Sequence, residues 1–497
     1  MAIPPEVLAV PRPKNTVVEA YGKNKNLYAV RERIGCKYDN GRRLPQNGRT
    51  IGHIIDLTYV PSGTIQEPKP VSQALTDLKD WANIVLCDNL CKNLLTDLLK
   101  FYHRVDALKI YCISVLRLCY PGIKDYELQD AYRDCFLSEL YPGVALSKNT
   151  VSEFLEDLGR AYSRIISFMR DRVERVLKTD HLLIEGTLKS CESEVNSLSD
   201  YSRKAKTKGT RDISLLYCYD LEMKEPICSK CFPGNMLDST SYEGFISEFN
   251  ITRGLIIGDK GFPANTAKKH FDANPELHYM NPLKRDSKYI RKYDLLNFDG
   301  QLDGHENILY KRVFVEEENK WLYSFKDTVM AHKEDYGWLH NSQKSRTDFS
   351  MSKYLDEARK FGTILLESDL EMDPLTAYLT YESRWEIELV MRYYKQACEF
   401  DETREHNDYS VIGSEFCSFL SSVMTYRFIN RFEDVGLFKT HGYKKILKLL
   451  ARAKKVRANG RDWEPIRMND NLIEILQALE LLPKPTPKKR GRPKKNT

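Results

Sequence analysis

A carboxylate stands among cations at helical spacing near residue 390. Counted from Tyr381, further polar residues follow at offsets of 3, 7 and 14 positions, namely Arg384, Glu388 and Lys395. Because an α-helix turns by about 100° per residue, all four fall within roughly 60° of one another. Arg392 lies beside this polar stripe. Such a stripe is either a solvated face joined by salt bridges or a polar surface turned toward a specific partner.

The opposite side of the same predicted helix is apolar. Trp385, Ile387 and Met391 fall there. We therefore expect the helix to pack through this apolar side and to present the polar stripe to a specific partner.

Two further acids end short apolar runs. Residues 182–184 precede Glu185, residues 255–258 precede Asp259, and each acid has a glycine close by. Buried central strands have this pattern when they deliver a carboxylate to the edge of a sheet. Between the two runs, the sequence predicts paired strands from 213 to 231, then a helix from 241 to 249.

The spacing Tyr-x2-Arg-x3-Glu-x6-Lys resembles the signature of one large branch of DDE transposases, which bacterial insertion sequences encode. Residues 255–262 are similar to the second-aspartate motif of that family, and residues 183–187 to its first-acid motif. Residues 232–238 also resemble a segment found between the two motifs. Together these similarities span residues 182–395, and four specified residues at this spacing arise by chance in few chains of this length.

The resemblance implies an α/β fold, in which a ribonuclease H-like mixed sheet core with a β-rich insertion is flanked by helical N- and C-terminal domains. In such a core, Glu185 and Asp259 lie on adjacent strands about 5 Å apart. Glu388 arrives from a helix. Carboxylates this close repel one another unless cations neutralise them. The three acids are therefore the expected catalytic residues and the expected ligands of two Mg²⁺ or Mn²⁺ ions.

The implied activity is that of a transposase, which cleaves DNA at the ends of an insertion sequence and transfers the freed 3′ end to target DNA. The expected partner is double-stranded DNA, both terminal repeats and target, bound by a homodimer in the synaptic complex. Tyr381, Arg384, Arg392 and Lys395 would bind this DNA, as guanidinium and ammonium groups suit phosphates. Trp321, in a hairpin predicted between 307 and 327, would stack on a flipped base. The alternative is a tryptophan packed across the strands of its hairpin.

Glu185 departs from the family pattern, which normally has aspartate as the first acid. The extra methylene moves the carboxylate by about 1.5 Å, more than active sites usually tolerate. Asp180 is no obvious substitute, because it lies five residues earlier and on the opposite face of a strand. Two hypotheses remain open: Glu185 binds metal with altered activity, or the chain is a catalytically impaired, transposase-derived DNA-binding protein.

The remaining patterns divide the chain into consecutive regions. The expected regions are a strand-and-turn segment (1–65), a helical segment that is a candidate for DNA binding (66–178), a catalytic core (179–285 and 370–410), a β-rich insertion (286–369), a helical C-terminal region (411–483) and a basic tail (484–497). Within the second region, Ser147 fits a helix N-cap and Gly159 a helix stop. The first turn of that helix contacts DNA, or else the helix is an ordinary member of a bundle.

Positive charge is concentrated in the tail. From Lys484 onward there are seven Lys or Arg and no acid, so removing them takes the net charge from +6 to −1. Arg490, Gly491 and Arg492 resemble the core of an AT-hook, in which glycine permits close approach to a narrow minor groove. A disordered basic tail, or a nuclear-import signal in a eukaryotic setting, is the alternative.

Composition excludes several other classes of protein. No run of 18 apolar residues occurs and the start lacks a signal-peptide pattern, so we expect a cytoplasmic protein, nucleoid-associated in a bacterium, with no membrane partner. The Cys228–Cys231 pair has no second pair at zinc-finger spacing, which favours buried reduced thiols. No His-x-x-Arg and no His-Glu-x-x-His occurs, which argues against tyrosine recombinases and zinc proteases.

Overall fold

The computed structural model divides the chain into two compact units. Unit 1 consists of Met1–Thr76 with Ala458–Gly460, and unit 2 of Asp77–Arg457 with Arg461–Thr497. The residues that the structure describes are 3–22, 27–39, 41–62, 77–191, 193–202, 209–236, 238–258, 267–344, 349–385, 402–403, 405–458 and 461–484.

Unit 1 is built on a four-stranded antiparallel sheet in the order β1-β2-β3-β4. Its elements are helix α1 (Pro5–Leu8) and strands β1 (Thr16–Tyr21), β2 (Leu27–Asp39), β3 (Arg42–Ile55) and β4 (Thr58–Pro61). A small aliphatic core lies against the part of the sheet where all four strands are present. Its buried residues are Val7, Val10, Val18, Val30 and Ile54.

Strands β2 and β3 continue beyond the other two strands as a two-stranded ribbon. Strand β1 pairs with β2 no further than Glu32, and the pairing of β4 with β3 begins at Gly52. Further out, residues 35–39 pair with residues 42–46. Gly41 has a φ of +79°, a left-handed conformation that glycine adopts without steric cost and that a tight hairpin turn requires.

The first part of unit 2 is helical, as the sequence predicts. A short strand, β5 (Asp77–Asp80), precedes the helices α2 (Ala82–Leu98), α3 (Arg104–Cys119), α4 (Leu128–Arg133), α5 (Leu137–Leu140), α6 (Lys148–Arg160) and α7 (Tyr162–Val173). The predicted start of α6 is confirmed, with Ser147 at the N-cap position. Its expected apolar face is buried: Val151, Phe154, Leu155 and Leu158.

Gly159 does not stop α6, which continues to Arg160. It has a packing role instead, because a Cβ atom there would lie 1.9 Å from the carbonyl oxygen of Tyr409. Gly413 on the facing helix is equally confined, since its Cβ would lie 2.0 Å from the carbonyl oxygen of Leu155. The backbones of the two helices therefore touch, which only residues without a side chain permit.

A large mixed sheet makes unit 2 an α/β structure. Its first six strands along the chain are β6 (His181–Cys191), β7 (Asp200–Tyr201), β8 (Arg211–Asp220), β9 (Glu225–Pro233), β10 (Arg253–Ile257) and β11 (Glu276–Pro282). The predicted pairing of β8 with β9 is confirmed, as is the helix that follows them, α8 (Asp238–Glu248). The Cys228 thiol is buried and Cys231 half-buried on β9, both as free cysteines, as expected.

Four more strands extend the same sheet beyond β11. They are β12 (Gly300–Leu302), β13 (His305–Val315), β14 (Lys320–Asp327) and β15 (Thr363–Ser368), in the order β12-β13-β14-β15-β11. The predicted hairpin is confirmed as the antiparallel pair β13 and β14. Five helices accompany this region: α9 (Lys268–Ala273), α10 (Lys288–Lys292), α11 (Thr328–Lys344), α12 (Met351–Ala358) and α13 (Pro374–Glu382).

The C-terminal part of unit 2 is dominated by one long buried helix. Helix α14 (Asp408–Asp434) packs against α6, α3 and β9. The other elements are strand β16 (Glu402–Thr403), helix α15 (Tyr443–Leu450), strands β17 (Lys454–Arg457) and β18 (Glu464–Pro465), and helix α16 (Asp470–Ala478). Within the described ranges, no helix has the length and apolar character needed to span a membrane.

Substituting Gly159 by alanine tests the backbone contact between α6 and α14. The added methyl group has no room beside the Tyr409 carbonyl, so we expect Gly159→Ala to lower the free energy of unfolding by about 1–3 kcal/mol. Gly337→Ala is the matched control, because Gly337 lies in α11 with no atom within 4 Å of the new methyl. This control should raise stability by about 0.5–1 kcal/mol. Urea unfolding measures both changes, and equal stabilities of the two variants would contradict the contact.

Candidate active site

Glu185 lies in the middle of strand β6, not at its end. The strand runs on to Cys191, and it is flanked by β10 on one side and β8 on the other. Glu185 pairs with Tyr217 of β8 and is half-buried. Directly paired residues of neighbouring strands present their side chains to the same face of a sheet. Glu185 therefore shares a face with Tyr217 and, two residues further on, with Tyr219.

Strand β10 is the parallel neighbour of β6. Their register pairs Ile257 with Leu183, and β10 ends at Ile257. In the sequence, Glu185 follows Leu183 by two residues, and Asp259 follows Ile257 by two residues. The two apolar runs that were predicted to be buried central strands are thus confirmed as adjacent strands, while Asp259 itself lies outside the described residues.

The charge of Glu185 affects the pKa of two buried tyrosines, Tyr219 and Tyr426. Burial raises the pKa of Tyr219 and of Tyr426 well above the ordinary value for tyrosine, and the charge of Glu185 adds to both increases. Tyr426 belongs to α14, and its ring centroid lies 5.5 Å from that of Tyr219. Both phenols therefore stay protonated at neutral pH.

A buried ion pair fixes β6 to α14 four residues beyond Glu185. The Lys189 ammonium donates to the Glu415 carboxylate, and both side chains are 6% exposed. Tyr217 also packs against Phe419 of α14, with ring centroids 6.4 Å apart. Removing one partner of such a pair leaves an uncompensated buried charge, so the contact holds the strand in register with the helix.

Tyr381 and Arg384 lie close together, but not as two residues of one polar helix face. Helix α13 ends at Glu382 with Ser383 as its C-cap. Tyr381 is 8% exposed and Trp385 is 55% exposed. The expectation that the side carrying Trp385 would pack inward and the side carrying Tyr381 would face out is therefore wrong for these residues.

The reason for this reversal is that α13 packs against the β13–β14 hairpin. Its buried residues are Ala377, Thr380 and Tyr381. Tyr378 also stacks edge-on against Phe325 of β14, with ring centroids 5.3 Å apart. Tyr381 thus anchors the helix, and the Arg384 guanidinium lies 5.4 Å from the Tyr381 ring.

Trp321 is half-buried on β14 and packs across its own hairpin. Its ring lies 4.9 Å from that of Phe314, and the Arg312 guanidinium covers it at 4.6 Å. Both contacts come from β13. This is the intramolecular packing that the sequence left open as the alternative, and a role of Trp321 in DNA stacking stays a prediction.

Several predicted site residues lie outside the described part of the chain. They are Asp259, Glu388, Arg392, Lys395, Arg490, Gly491 and Arg492. Among the described residues there is no cluster of three metal-ligating side chains, and two of the three expected carboxylates fall outside that search. Their assignments therefore stay predictions.

A cluster of three charged side chains near the candidate site was not predicted. Glu225 at the start of β9 forms salt bridges with Arg172 of α7 and Arg427 of α14, each with a nitrogen–oxygen distance of 2.8 Å. Burial would raise the pKa of Glu225, but the two guanidinium groups outweigh it and lower the pKa below its ordinary value. The sequence offered no distinct signal, because α7 and α14 contain further charged residues and Arg172 and Arg427 cannot be told from these by local pattern.

A cavity of about 430 Å³ lies beside the ends of β6 and β16. Its lining includes Arg117, Lys148, Lys189 and Glu405. Burial and the nearby charge of Asp125 raise the pKa of Glu405 to about 7, against the opposing charge of Arg117. Lys148, on the first turn of α6, also lines this cavity.

Comparison with known proteins gives one family match and several similar solved structures. Residues 177–408 match the family described as Transposase DDE domain, which supports a DDE transposase. The chain is similar to the piggyBac transposase in its cryo-EM synaptic complex with hairpin DNA, at 12% identity and a TM-score of 0.40, over 74% of this chain and 79% of that chain. It is also similar to the Mos1 transposase in a paired-end complex with the left transposon end, at 12% identity and a TM-score of 0.14, over 30% of this chain and 56% of that chain. The comparison with curated proteins finds no match.

Asp220 is an aspartate on β8, the strand next to Glu185, but it faces the other side of the sheet. It pairs with Leu182, is 0% exposed, and accepts one hydrogen bond from the Met223 backbone. Burial raises the pKa of Asp220 to about 6 from an ordinary value of 3.8. It is therefore an unsuitable replacement for the first catalytic acid.

The raised pKa of Asp220 predicts a pH-dependent stability. Because the folded pKa lies above the unfolded one, the contribution of Asp220 is complete below about pH 3.8 and is lost as the pH rises through 6. The Asp220→Asn variant does not suffer this loss. The difference in the free energy of unfolding between this variant and wild type should therefore shift in favour of the variant by about 1 kcal/mol from pH 5 to pH 8. Urea unfolding at both pH values measures it, with exposed Asp272→Asn as the control. A difference that is the same at both pH values would refute the assignment.

Proposed function

We propose that this chain is the transposase of an insertion sequence, which binds the ends of the element and catalyses metal-dependent DNA cleavage and strand transfer. Glu185, Asp259 and Glu388 would be its catalytic carboxylates. The large mixed sheet would correspond to a ribonuclease H-like core, and strands β12–β15 to the β-rich insertion of that branch of transposases. The match of residues 177–408 to the Transposase DDE domain supports the class of enzyme.

The observation that carries this proposal is the register between β6 and β10. Leu183 and Ile257 are paired on parallel strands, and each is followed by an acid two residues later in the sequence. Neighbouring strands are about 4.8 Å apart. Two carboxylates at equivalent positions on such strands are close enough to share cations and too close to remain unneutralised.

The donor set fits a hard divalent cation. All three proposed ligands are carboxylates, and carboxylate oxygens are preferred by Mg²⁺ and Mn²⁺. Burial raises the pKa of Tyr219 and of Tyr426, and the charge of Glu185 adds to both increases, as expected where a carboxylate lies close to both phenols. When bound, two such ions would supply activation of the attacking hydroxyl and stabilisation of the leaving oxygen.

The other residues of the chain would hold the DNA and position the acids. Arg384 would contact a phosphate of the transposon end, as would Arg392 and Lys395 further along the polar stripe. Tyr381 is buried, so its role would be to anchor α13 and support Arg384 instead of contacting DNA directly. The AT-hook-like segment around Gly491 would add minor-groove contacts, and paired ends would require a homodimer.

Cleavage of labelled element ends tests the proposal. With Mg²⁺ or Mn²⁺, we expect the wild-type chain to cut the end duplex and Glu388→Gln to reduce the rate by at least about a hundredfold, because one ligand is removed. Glu474→Gln, an exposed glutamate on α16, is the matched control and should cut at the wild-type rate. Binding of the same duplex is measured in EDTA, so that a loss of cleavage is separated from a loss of binding.

Glu185→Asp separates the two hypotheses on the first acid. If wild type cuts and Glu185→Asp is slower, glutamate is a working ligand in this chain. If only Glu185→Asp cuts, the site is assigned correctly and the natural chain is an impaired relative that binds DNA. Binding of the ends with no cleavage by either protein would refute the catalytic assignment.

A further inference from the structure

The positive charge of the chain is concentrated at its two ends. Residues 1–76 contain eleven Lys or Arg and six Asp or Glu, a net charge of +5. The tail from Lys484 adds seven positive charges. Since the whole chain has a net charge of +6, the residues between 77 and 483 carry −6. A protein with this distribution attracts a polyanion through its ends, and unit 1 is one of them.

Four of these eleven cations, with one acid, lie on the distal part of the β2–β3 ribbon. Residues 33–39 and 42–46 are all exposed. No residue of the small core belongs to either range. Five residue pairs at about 3.3 Å per residue give a projecting arm of about 16 Å. An arm that buries nothing of its own is not explained by the stability of unit 1.

The cations of the arm are available to a partner. Lys37 and Arg42 lie on one face of the ribbon, and Arg43 lies on the other beside Tyr38. In the described part of the chain, none of these three cations makes a salt bridge or a side-chain hydrogen bond. This differs from the base of the ribbon, where Arg31 pairs with Glu19 at 3.1 Å.

We infer that this arm, residues 33–46, binds double-stranded DNA by entering the major groove. A two-stranded β-ribbon fits that groove, which is about 12 Å wide and 8.5 Å deep. Cations on both faces reach the phosphates that border the groove on either side. The inference goes beyond the proposed catalytic function, which assigns no role to the strand-and-turn segment.

The apolar residues of the arm do not favour a protein partner. Ile34 is 67% exposed, Tyr38 71% and Leu44 48%, but the register places Leu44 opposite Lys37 and Tyr38 opposite Arg43. Apolar and cationic side chains are therefore interleaved, with no continuous apolar face. Side chains of this kind contact thymine methyl groups and sugars in a groove whose edges are negatively charged.

Removing Lys37, Arg42 and Arg43, three of the four cations of the arm, tests the inference in the full-length chain. Lys37→Gln/Arg42→Gln/Arg43→Gln should weaken binding of a 30-base-pair duplex in EDTA at least about tenfold, and should reduce the slope of log K against log salt by about 2.7. The control triple Lys92→Gln/Lys178→Gln/Lys224→Gln removes the same charge at exposed positions of unit 2 and should leave both quantities near wild type. Equal affinity and slope in the two triples would overturn the inference.

Cys36 provides a second, independent measurement on the unsubstituted arm. It is the exposed one among the free cysteines that the structure describes, and it lies on the ribbon opposite Pro45. Saturating duplex DNA should slow its modification by a maleimide severalfold, quantified on the Cys36 peptide by mass spectrometry. An unchanged rate on a chain that is fully bound to DNA would show that the arm is outside the interface.

Competition with double-stranded RNA distinguishes groove entry from simple charge attraction. The major groove of A-form RNA is deep and too narrow for protein elements. Duplex RNA of equal length should therefore compete weakly, and equal competition by RNA would overturn the major-groove assignment. Because no metal is present in these assays, they fail or succeed independently of the cleavage experiments.

Discussion

Helix α14 is the element on which the arrangement of unit 2 depends. On one side its backbone touches α6 at Gly159 and Gly413. On the other side its Glu415 carboxylate accepts a hydrogen bond from the Lys189 ammonium of β6. A buried ion pair strongly resists separation, because either charge left alone would bear the full cost of desolvation. Strand β6 is therefore held in register with the helix, and Glu185, four residues before Lys189 on the same face, is held with it.

This constraint also explains how a carboxylate is tolerated on a central strand. The neighbours of Glu185 on the α14 side include the phenols Tyr217, Tyr219 and Tyr426, and burial keeps Tyr219 and Tyr426 protonated. They fill space without adding a fixed positive charge. Glutamate in place of aspartate extends the carboxylate further from the strand.

The charge distribution assigns different tasks to different parts of the chain. With a net charge of −6, the segment from 77 to 483 repels DNA at long range. In the proposed binding of DNA, first contact would be made by the cationic ends, one of which includes the exposed Lys37, Arg42 and Arg43. Arg172 and Arg427, inside this segment, are paired with the buried Glu225 and are not available for DNA.

The sequence by itself determined the local elements of this protein. The helix after Ser147, the paired strands β8 and β9, and the β13–β14 hairpin all follow from apolar periodicity, which depends on neighbouring residues only. The sequence also indicated the adjacent strands that carry the first two proposed acids, whereas the complete three-acid site remains a prediction. Tertiary structure alone decided that Tyr381 faces inward, that Gly159 is a contact instead of a helix stop, and that Lys189 pairs with Glu415. Each of these depends on an element distant in sequence, and local periodicity contains no information about such a partner.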